Sequence, residues 1–207
     1  MKSSTPVSFS ITKKLLILYL LILVPLSAYL PVWTSFENNL LENAQVIVLL
    51  GGSLMCLNFA RKTSNSSTHG MWVPSAGIFL ILAFRELSWG RVFMIKGYTD
   101  IGEPILIASR DMPFRTPIHV AIGIFAVLCL YCLVRHVPWK RILKDIPFPL
   151  MQILLIVIGI VLSTWGDHHS IFYTMRDQVI EEMAELLMYL ALCHIAWYYY
   201  LKIEKKS

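Results

Sequence analysis

The sequence predicts an all-α protein that crosses a membrane six times, and three observations support this fold class. Apolar residues make up 57% of the 207-residue chain and charged residues only 15%, whereas soluble domains carry roughly 45–50% apolar and about 25% charged residues. The apolar residues form six blocks that approach the roughly 20 residues needed to cross a bilayer as a helix. These blocks fill most of the chain, which excludes a separate water-soluble catalytic domain or a nucleic-acid-binding module.

The predicted spans follow one another with short connections. The first comes after Lys13 and Lys14 and contains Pro25, where a kink is expected because proline lacks a backbone donor. An uncleaved anchor is favoured over a cleaved signal peptide, because the apolar run continues to Trp33. The spans cover approximately residues 15–33, 44–60, 71–89, 118–134, 150–165 and 183–201.

The charge distribution predicts the orientation. Placing the N- and C-termini in the cytoplasm puts 12 of the 18 basic residues inside, as the positive-inside rule requires. All six tryptophans then lie near span ends, where indoles favour the interface. Eleven of the 13 acidic residues fall outside. We therefore expect a multi-pass protein of the bacterial inner membrane whose outer face carries the chemistry.

The end of the third span holds an unusual pair of charges. Only 14 uncharged residues run from Met71 to Phe84, about 21 Å of helix against a hydrocarbon core near 30 Å. Arg85 and Glu86 should therefore lie within the outer leaflet. Adjacent residues point about 100° apart, which favours pairing with other helices. Intramembrane charges indicate either function or a structural ion pair, and both interpretations stay open.

These residues supply the first group of site candidates. Glu86 is predicted to act as an acid or base, because a carboxyl group in an apolar margin has a raised pKa. Arg85, Arg91 and Trp89 are predicted to position an anion or substrate. Glu42 and His119, at the outer ends of the second and fourth spans, are supporting candidates.

The start of the sixth span supplies a second group. Thr174 and Asp177 have the spacing of a helix capping box, and Glu181 and Glu185 share one helix face with Glu182 beside them. Like charges one turn apart repel unless a cation, a proton or an arginine intervenes. Glu185 is the catalytic candidate of this group and Glu181 and Glu182 support it; a solvated first turn is the alternative.

The fifth span ends at three successive polar residues that could bind a metal. Asp167, His168 and His169 offer oxygen and nitrogen ligands to zinc or another divalent ion, although no HxxxH or HExxH spacing is present. Asp167 and His168 are also candidates for acid/base catalysis.

The longest outer segment, residues 90–117, separates the third and fourth spans. Asp100 and Glu103 have capping-box spacing, which predicts a short interfacial helix over 104–108. Basic residues in this segment could clamp a phosphate or carboxylate of a lipid headgroup, or neutralise the nearby acids. They are Arg91, Lys96, Arg110 and Arg115.

One motif resembles a known group. The stretch from Arg85 to Arg91, RELSWGR, together with the acidic start of the last helix, resembles uncharacterised bacterial six-helix inner-membrane proteins with a Glu-x-Ser-Trp-Gly motif. The resemblance covers two short motifs. It implies location and architecture and carries no activity.

The leading functional hypothesis is an outward-facing polar pocket that binds or acts on a lipid or a periplasmic small molecule, with metal-assisted hydrolysis or transfer as the candidate chemistry. An accessory or scaffold subunit of a membrane complex is the first alternative. A proton- or cation-coupled transporter is the second, disfavoured because the ionisable residues gather at one end rather than at the midplane.

Overall fold

Helices dominate the computed structural model, which describes residues 7–63, 66–168 and 171–204. This confirms the all-α class. A long helix overlaps each of the six predicted spans, although α1 ends at Ser27 and α3 at Glu86, before the predicted ends at 33 and 89. A short helix lies between the fourth and the fifth. The helices are α1 Val7–Ser27, α2 Leu40–Lys62, α3 Ser66–Glu86, α4 Arg115–His136, α5 Trp139–Asp145, α6 Leu150–Asp167 and α7 Arg176–Glu204.

Four segments among the described residues are long and apolar enough to cross a membrane. They are α1, a stretch over Val32–Lys62 that contains α2, α4 and α6. The same measure does not include α3 and α7, which are the two long helices that carry ionisable clusters at one end. These four segments are consistent with a membrane protein.

The chain divides into two compact units. Unit 1 comprises Met1–Ser35 and Phe148–Ser207, and unit 2 comprises Phe36–Pro147. Unit 1 therefore combines the first helix with the last two, although more than 100 residues of sequence separate them. Unit 2 contains α2 to α5 and the segment between α3 and α4.

In unit 1, α7 packs against both α1 and α6. Glycines bring α6 and α7 close together: a Cβ added at Gly159 would lie 3.1 Å from the carbonyl oxygen of Ala184, and one added at Gly166 would lie 2.7 Å from that of Asp177. The order of these contacts makes the two helices antiparallel. Small residues permit such backbone approach in membrane helix pairs.

Two polar contacts join α1 to α7. The hydroxyl of Tyr19 donates to the carbonyl oxygen of Met183 at 3.1 Å. The guanidinium of Arg176 donates to the carbonyl oxygen of Ser27, the last residue of α1, at 3.5 Å, and to those of Ala28 and, at 3.3 Å, Leu30 just after it. The last carbonyls of a helix lack partners within it and favour a nearby cation. The first residue of α7 therefore stabilises the end of α1.

In unit 2, α3 packs between α2 and α4. Trp72 is buried and meets Phe59 of α2 edge-to-face, with ring centroids 5.2 Å apart. Gly77 permits the close approach of α4, because a Cβ added at Gly77 would lie only 2.6 Å from the Cys129 sulfur of α4. Only 6% of the most apolar 18-residue stretch of α4 is buried within the protein, as expected for a helix that presents most of its surface to lipid.

The segment between α3 and α4 contains a β-hairpin, so the predicted interfacial helix over 104–108 is wrong. Strand β1, Ile95–Tyr98, pairs antiparallel with β2, Pro104–Leu106. The Thr99 hydroxyl accepts the Glu103 N–H at 3.0 Å and the Thr99 carbonyl accepts the Gly102 N–H at 2.9 Å. Gly102, at φ +85°, supplies the conformation that this turn needs. The capping-box spacing of Asp100 and Glu103 therefore belongs to a hairpin turn and does not mark the start of a helix.

Candidate functional site

The predicted site residues divide between the two units. Unit 1 holds one group on α6 and α7, namely Asp167, His168, Glu181, Glu182 and Glu185. Unit 2 holds the other group, namely Glu42, Arg85, Glu86, Trp89, Arg91 and His119.

In unit 1, Asp167 of α6 and Glu185 of α7 lie near enough to Glu181 for their charges to act on it, and the three residues are here called the carboxylate cluster. Gly166 permits this close approach of α6 to α7, because it has no Cβ. A Cβ added at this position would lie only 2.9 Å from the Glu181 nitrogen. The end of α6 thus meets the second turn of α7. The Ser163 hydroxyl donates to Glu185 Oε1 at 3.5 Å. Glu182 lies half-buried beside the cluster.

Crowding changes the acidity of one member of the cluster. Glu181 lies before the predicted span over 183–201. Burial, and after it the negative charges of Asp167 and Glu185, raise the pKa of Glu181 to about 7. A proton on Glu181 therefore relieves the repulsion predicted from the sequence.

This pKa predicts a pH dependence of stability. The folded state holds a proton on Glu181 between the ordinary glutamate pKa near 4.3 and about 7. The resulting stabilisation of the folded state is complete below the ordinary pKa near 4.3. It is lost as pH rises through the folded-state pKa of about 7. The melting temperature of the purified protein should therefore fall between pH 5 and pH 8, and Glu181→Gln should reduce that fall by a few degrees, at about 2–4 °C for each kcal/mol.

Asp100→Asn is the control for this measurement, because Asp100 is exposed in the hairpin turn. It should keep the pH dependence of the parent protein. Identical slopes for the parent and Glu181→Gln would contradict the assignment.

The predicted metal ligands extend beyond the described residues. Asp167 and His168 are exposed at the end of α6, and His169 lies outside the described part of the chain. Within residues 7–63, 66–168 and 171–204, no group of three His, Cys, Asp or Glu residues is arranged to hold a metal. Zinc binding by Asp167, His168 and His169 stays a prediction.

Asp177 has a larger structural role than its sequence position indicates. Helix α7 begins near the predicted capping box, at Arg176, but the fully buried Asp177 carboxylate accepts the N–H groups of Phe172 at 2.8 Å and Tyr173 at 2.9 Å. It therefore fixes the segment before α7. The capping-box spacing located this acid but not its partners.

In unit 2, Arg85 and Glu86 pair with each other, although adjacent helix residues point about 100° apart and the sequence favoured partners on other helices. Arg85 Nε lies 2.9 Å from Glu86 Oε1, and the Glu86 side chain is 6% exposed against 51% for Arg85. Both residues lie in the last turn of α3, where the long arginine side chain can fold back. This contact favours the ion-pair interpretation over acid/base chemistry at Glu86.

The turn after α3 places Trp89 in a strained conformation. Ser88, Trp89 and Gly90 have φ of 46°, 57° and 96°, and only glycine adopts such values without steric cost. Each strained non-glycine residue costs on the order of 1–3 kcal/mol and indicates a site whose surroundings enforce the conformation. Sequence reasoning identified Trp89 as an interface marker and could not detect its backbone conformation.

Three other candidates have defined surroundings. Arg91 Nε donates to the Ile107 carbonyl oxygen at 2.9 Å and so holds the residue after the hairpin. The Glu42 carboxylate accepts the Asn38 N–H at the start of α2, as a capping residue would. His119 is exposed on α4.

A row of apolar cavities follows the contact between α3 and α4. They measure about 340, 360 and 350 Å³. Leu80 and Phe125 line the first two, while Phe84, Trp89 and Ala121 line the last two. We call this row the α3–α4 groove. It ends at the strained Trp89, beside the Arg85–Glu86 pair.

No protein-family model, curated protein or solved structure matches the chain.

Proposed function

We propose that the protein binds a phospholipid, with an acyl chain in the α3–α4 groove and the headgroup at the end marked by Trp89. The observation that carries the proposal is the position of Trp89, which lines two cavities of the groove at a φ of 57°. Strained backbone conformations cluster at functional sites, and tryptophan favours the membrane interface.

The dimensions of the groove suit an acyl chain. Each cavity is at the small end of the ligand-pocket range, about 300–1,000 Å³. Together the cavities follow α3 from Pro74 to Phe84, about 15 Å of helix rise. Their walls are almost entirely apolar, apart from Ser53 and two cysteines, Cys129 and Cys132. Such a groove offers a hydrocarbon chain the contacts that a flat helix surface lacks.

Basic side chains at the Trp89 end suit a phosphate. The Arg85 side chain is 51% exposed although it pairs with Glu86. Arg115 precedes Ile118, which lines the groove, by three residues and therefore shares its helix face. Guanidinium groups bind phosphate oxygens in bidentate fashion. Binding is favoured over catalysis here, because the acid/base candidate Glu86 is buried in its ion pair.

The proposal includes a six-span topology in the bacterial inner membrane, with both termini cytoplasmic. In this topology α3 and α7 cross the membrane in addition to the four apolar segments, and α7 does so over residues 183–201. The β-hairpin lies on the outer side. The distribution of basic residues supports this orientation. A membrane-impermeant maleimide applied to intact spheroplasts should label a cysteine placed at Asp100 and not one placed at Lys144. The reverse labelling pattern would reject the orientation.

Filling the groove should displace the lipid. Ala121 lines two of its cavities, so Ala121→Trp should occupy the space of the acyl chain. After delipidation in detergent, we expect this variant to bind a short-chain phosphatidylglycerol about tenfold more weakly than the parent, a loss of ~1.4 kcal/mol. Native mass spectrometry across a lipid titration measures the bound fraction.

Val127→Trp is the matched control, because Val127 lies on the same helix, is 65% exposed and does not line the groove. It should bind lipid as the parent does. Equal affinities for all three proteins, with each folded by its melting curve, would reject the groove as the lipid site.

A further inference from the structure

A second pocket lies in unit 1, at the end remote from the carboxylate cluster. It measures about 520 Å³ and is formed by the first turns of α1, the start of α6 and the end of α7. Four polar residues among its lining, Ser10, Lys13, Gln152 and Tyr198, define what we call the basic pocket. None of the sequence-predicted site residues belongs to it.

The floor of the basic pocket is preorganised by a contact among three helices. Gln152 of α6 is 4% exposed, and its side-chain amide lies 3.0 Å from Nδ1 of the buried His194 of α7. The His194 ring stacks on Phe9 of α1, with centroids 4.1 Å apart and planes inclined by 17°. Phe9 and Gln152 both line the pocket. Their positions are therefore fixed without a ligand.

The charge of the pocket is positive. Lys13 lines it and has no ion-pair partner among the described residues. A second ammonium, that of Lys202, lies 5.7 Å from the centre of the Tyr198 ring. No carboxylate is part of the lining in the described part of the chain. An anion in this pocket would meet the Lys13 ammonium without a competing acid among the described lining residues.

The backbone adds further donors. Helix α6 begins at Leu150, and its N-cap residue, Pro149, provides no side-chain acceptor. The first N–H groups of a helix lack partners within it, and the helix dipole favours negative charge there. The Leu150 N–H already donates to the Phe148 carbonyl oxygen at 2.8 Å, so the donors left at this turn are the N–H groups of Met151 and Gln152. Both residues line the pocket together with the hydroxyl-bearing Ser10 and Tyr198. Lysine, hydroxyl and helix-start donors together match the chemistry of a phosphate group.

We infer that the basic pocket binds a phosphate group, carried either by an anionic lipid headgroup or by a free phosphate ion. Its floor is tied by Gln152 and its charge is supplied by Lys13. The site is independent of the α3–α4 groove, because its residues belong to unit 1. An experiment that rejects lipid binding in the α3–α4 groove would therefore leave phosphate binding in the basic pocket untouched, and the reverse also holds.

Binding to the full chain in detergent tests the inference with two probes, inorganic phosphate and dihexanoyl phosphatidic acid. We expect Lys13→Gln to weaken binding of the recognised probe at least about tenfold, and Lys13→Arg to retain it because the cation is kept. Lys14→Gln is the matched control, because Lys14 is the adjacent lysine, is exposed as Lys13 is, and lies outside the pocket lining. It should bind within about twofold of the parent.

The two probes distinguish the sources of the phosphate. Lys13-dependent binding of both probes would support a site for phosphate in general, and Lys13-dependent binding of phosphatidic acid alone would support a lipid headgroup. Equal effects of Lys13→Gln and Lys14→Gln would overturn the inference, as would the absence of binding by either probe. If Lys13→Gln fails to fold, Lys13→Met, which keeps the aliphatic stem and removes the charge, takes its place with the same expected loss of binding.

Discussion

Gly166→Ala should lower the free energy of unfolding by about 1–3 kcal/mol, the usual cost of inserting atoms into a packed contact. The added Cβ would lie 2.7 Å from the Asp177 carbonyl oxygen and 2.9 Å from the Glu181 nitrogen. Both neighbours are backbone atoms and cannot rotate away. Helix α6 must therefore separate from α7, which also spreads the carboxylate cluster. Thermal unfolding of the purified protein in detergent measures the loss.

Gly123→Ala is the matched control for this prediction. Gly123 also lies within a long helix, α4, but an added Cβ there would meet nothing within 4 Å. Alanine favours a helix over glycine by about 1 kcal/mol, so this variant should be as stable as the parent or more so. Equal melting temperatures for Gly166→Ala and Gly123→Ala would show that close packing at Gly166 does not hold α6 against α7.

Asp177→Ala should destabilise the protein by about 3 kcal/mol or more, because two hydrogen bonds to a charged group are lost at about 1.5–3 kcal/mol each. The N–H groups of Phe172 and Tyr173 would lose the acceptor that now binds them at 2.8 and 2.9 Å. Asp177→Asn retains one acceptor oxygen and should recover part of the loss. Chemical or thermal unfolding of the three proteins gives the series.

An exposed aspartate provides the comparison. Asp111 pairs with Lys96 at 3.2 Å, and both side chains are about half exposed. Exposed ion pairs contribute roughly 0–1 kcal/mol, so Asp111→Ala should change the melting temperature little. A loss for Asp111→Ala as large as that for Asp177→Ala would show that burial does not explain the role of Asp177.

The two units give the charged residues different roles. In unit 1, carboxylates from two helices converge and one of them, Glu181, has a pKa raised to about 7. In unit 2, charges are paired locally, as Arg85 is with Glu86, and the larger feature is an apolar groove. The proposed lipid binding therefore rests on unit 2, whereas the predicted pH dependence of stability arises in unit 1.

The candidate site was predictable from the sequence where its members are close along the chain. The spacing of Glu181 and Glu185 placed them on one helix face, and the length of the third apolar block located Arg85 and Glu86 at its end. The basic pocket was not predictable in this way. Lys13, Gln152 and Tyr198 are far apart in sequence and meet only because α1, α6 and α7 pack together.

The sequence by itself determined the six long helices and their order, because apolar length is a local property that the bilayer requirement makes decisive. Tertiary structure decided which groups meet and where the chain departs from helix. Pairing of β1 with β2 overrode a capping-box pattern, since strands are stabilised by a partner. Positive φ at Ser88 and Trp89 and the close approach at Gly166 likewise depend on neighbours that local sequence does not specify.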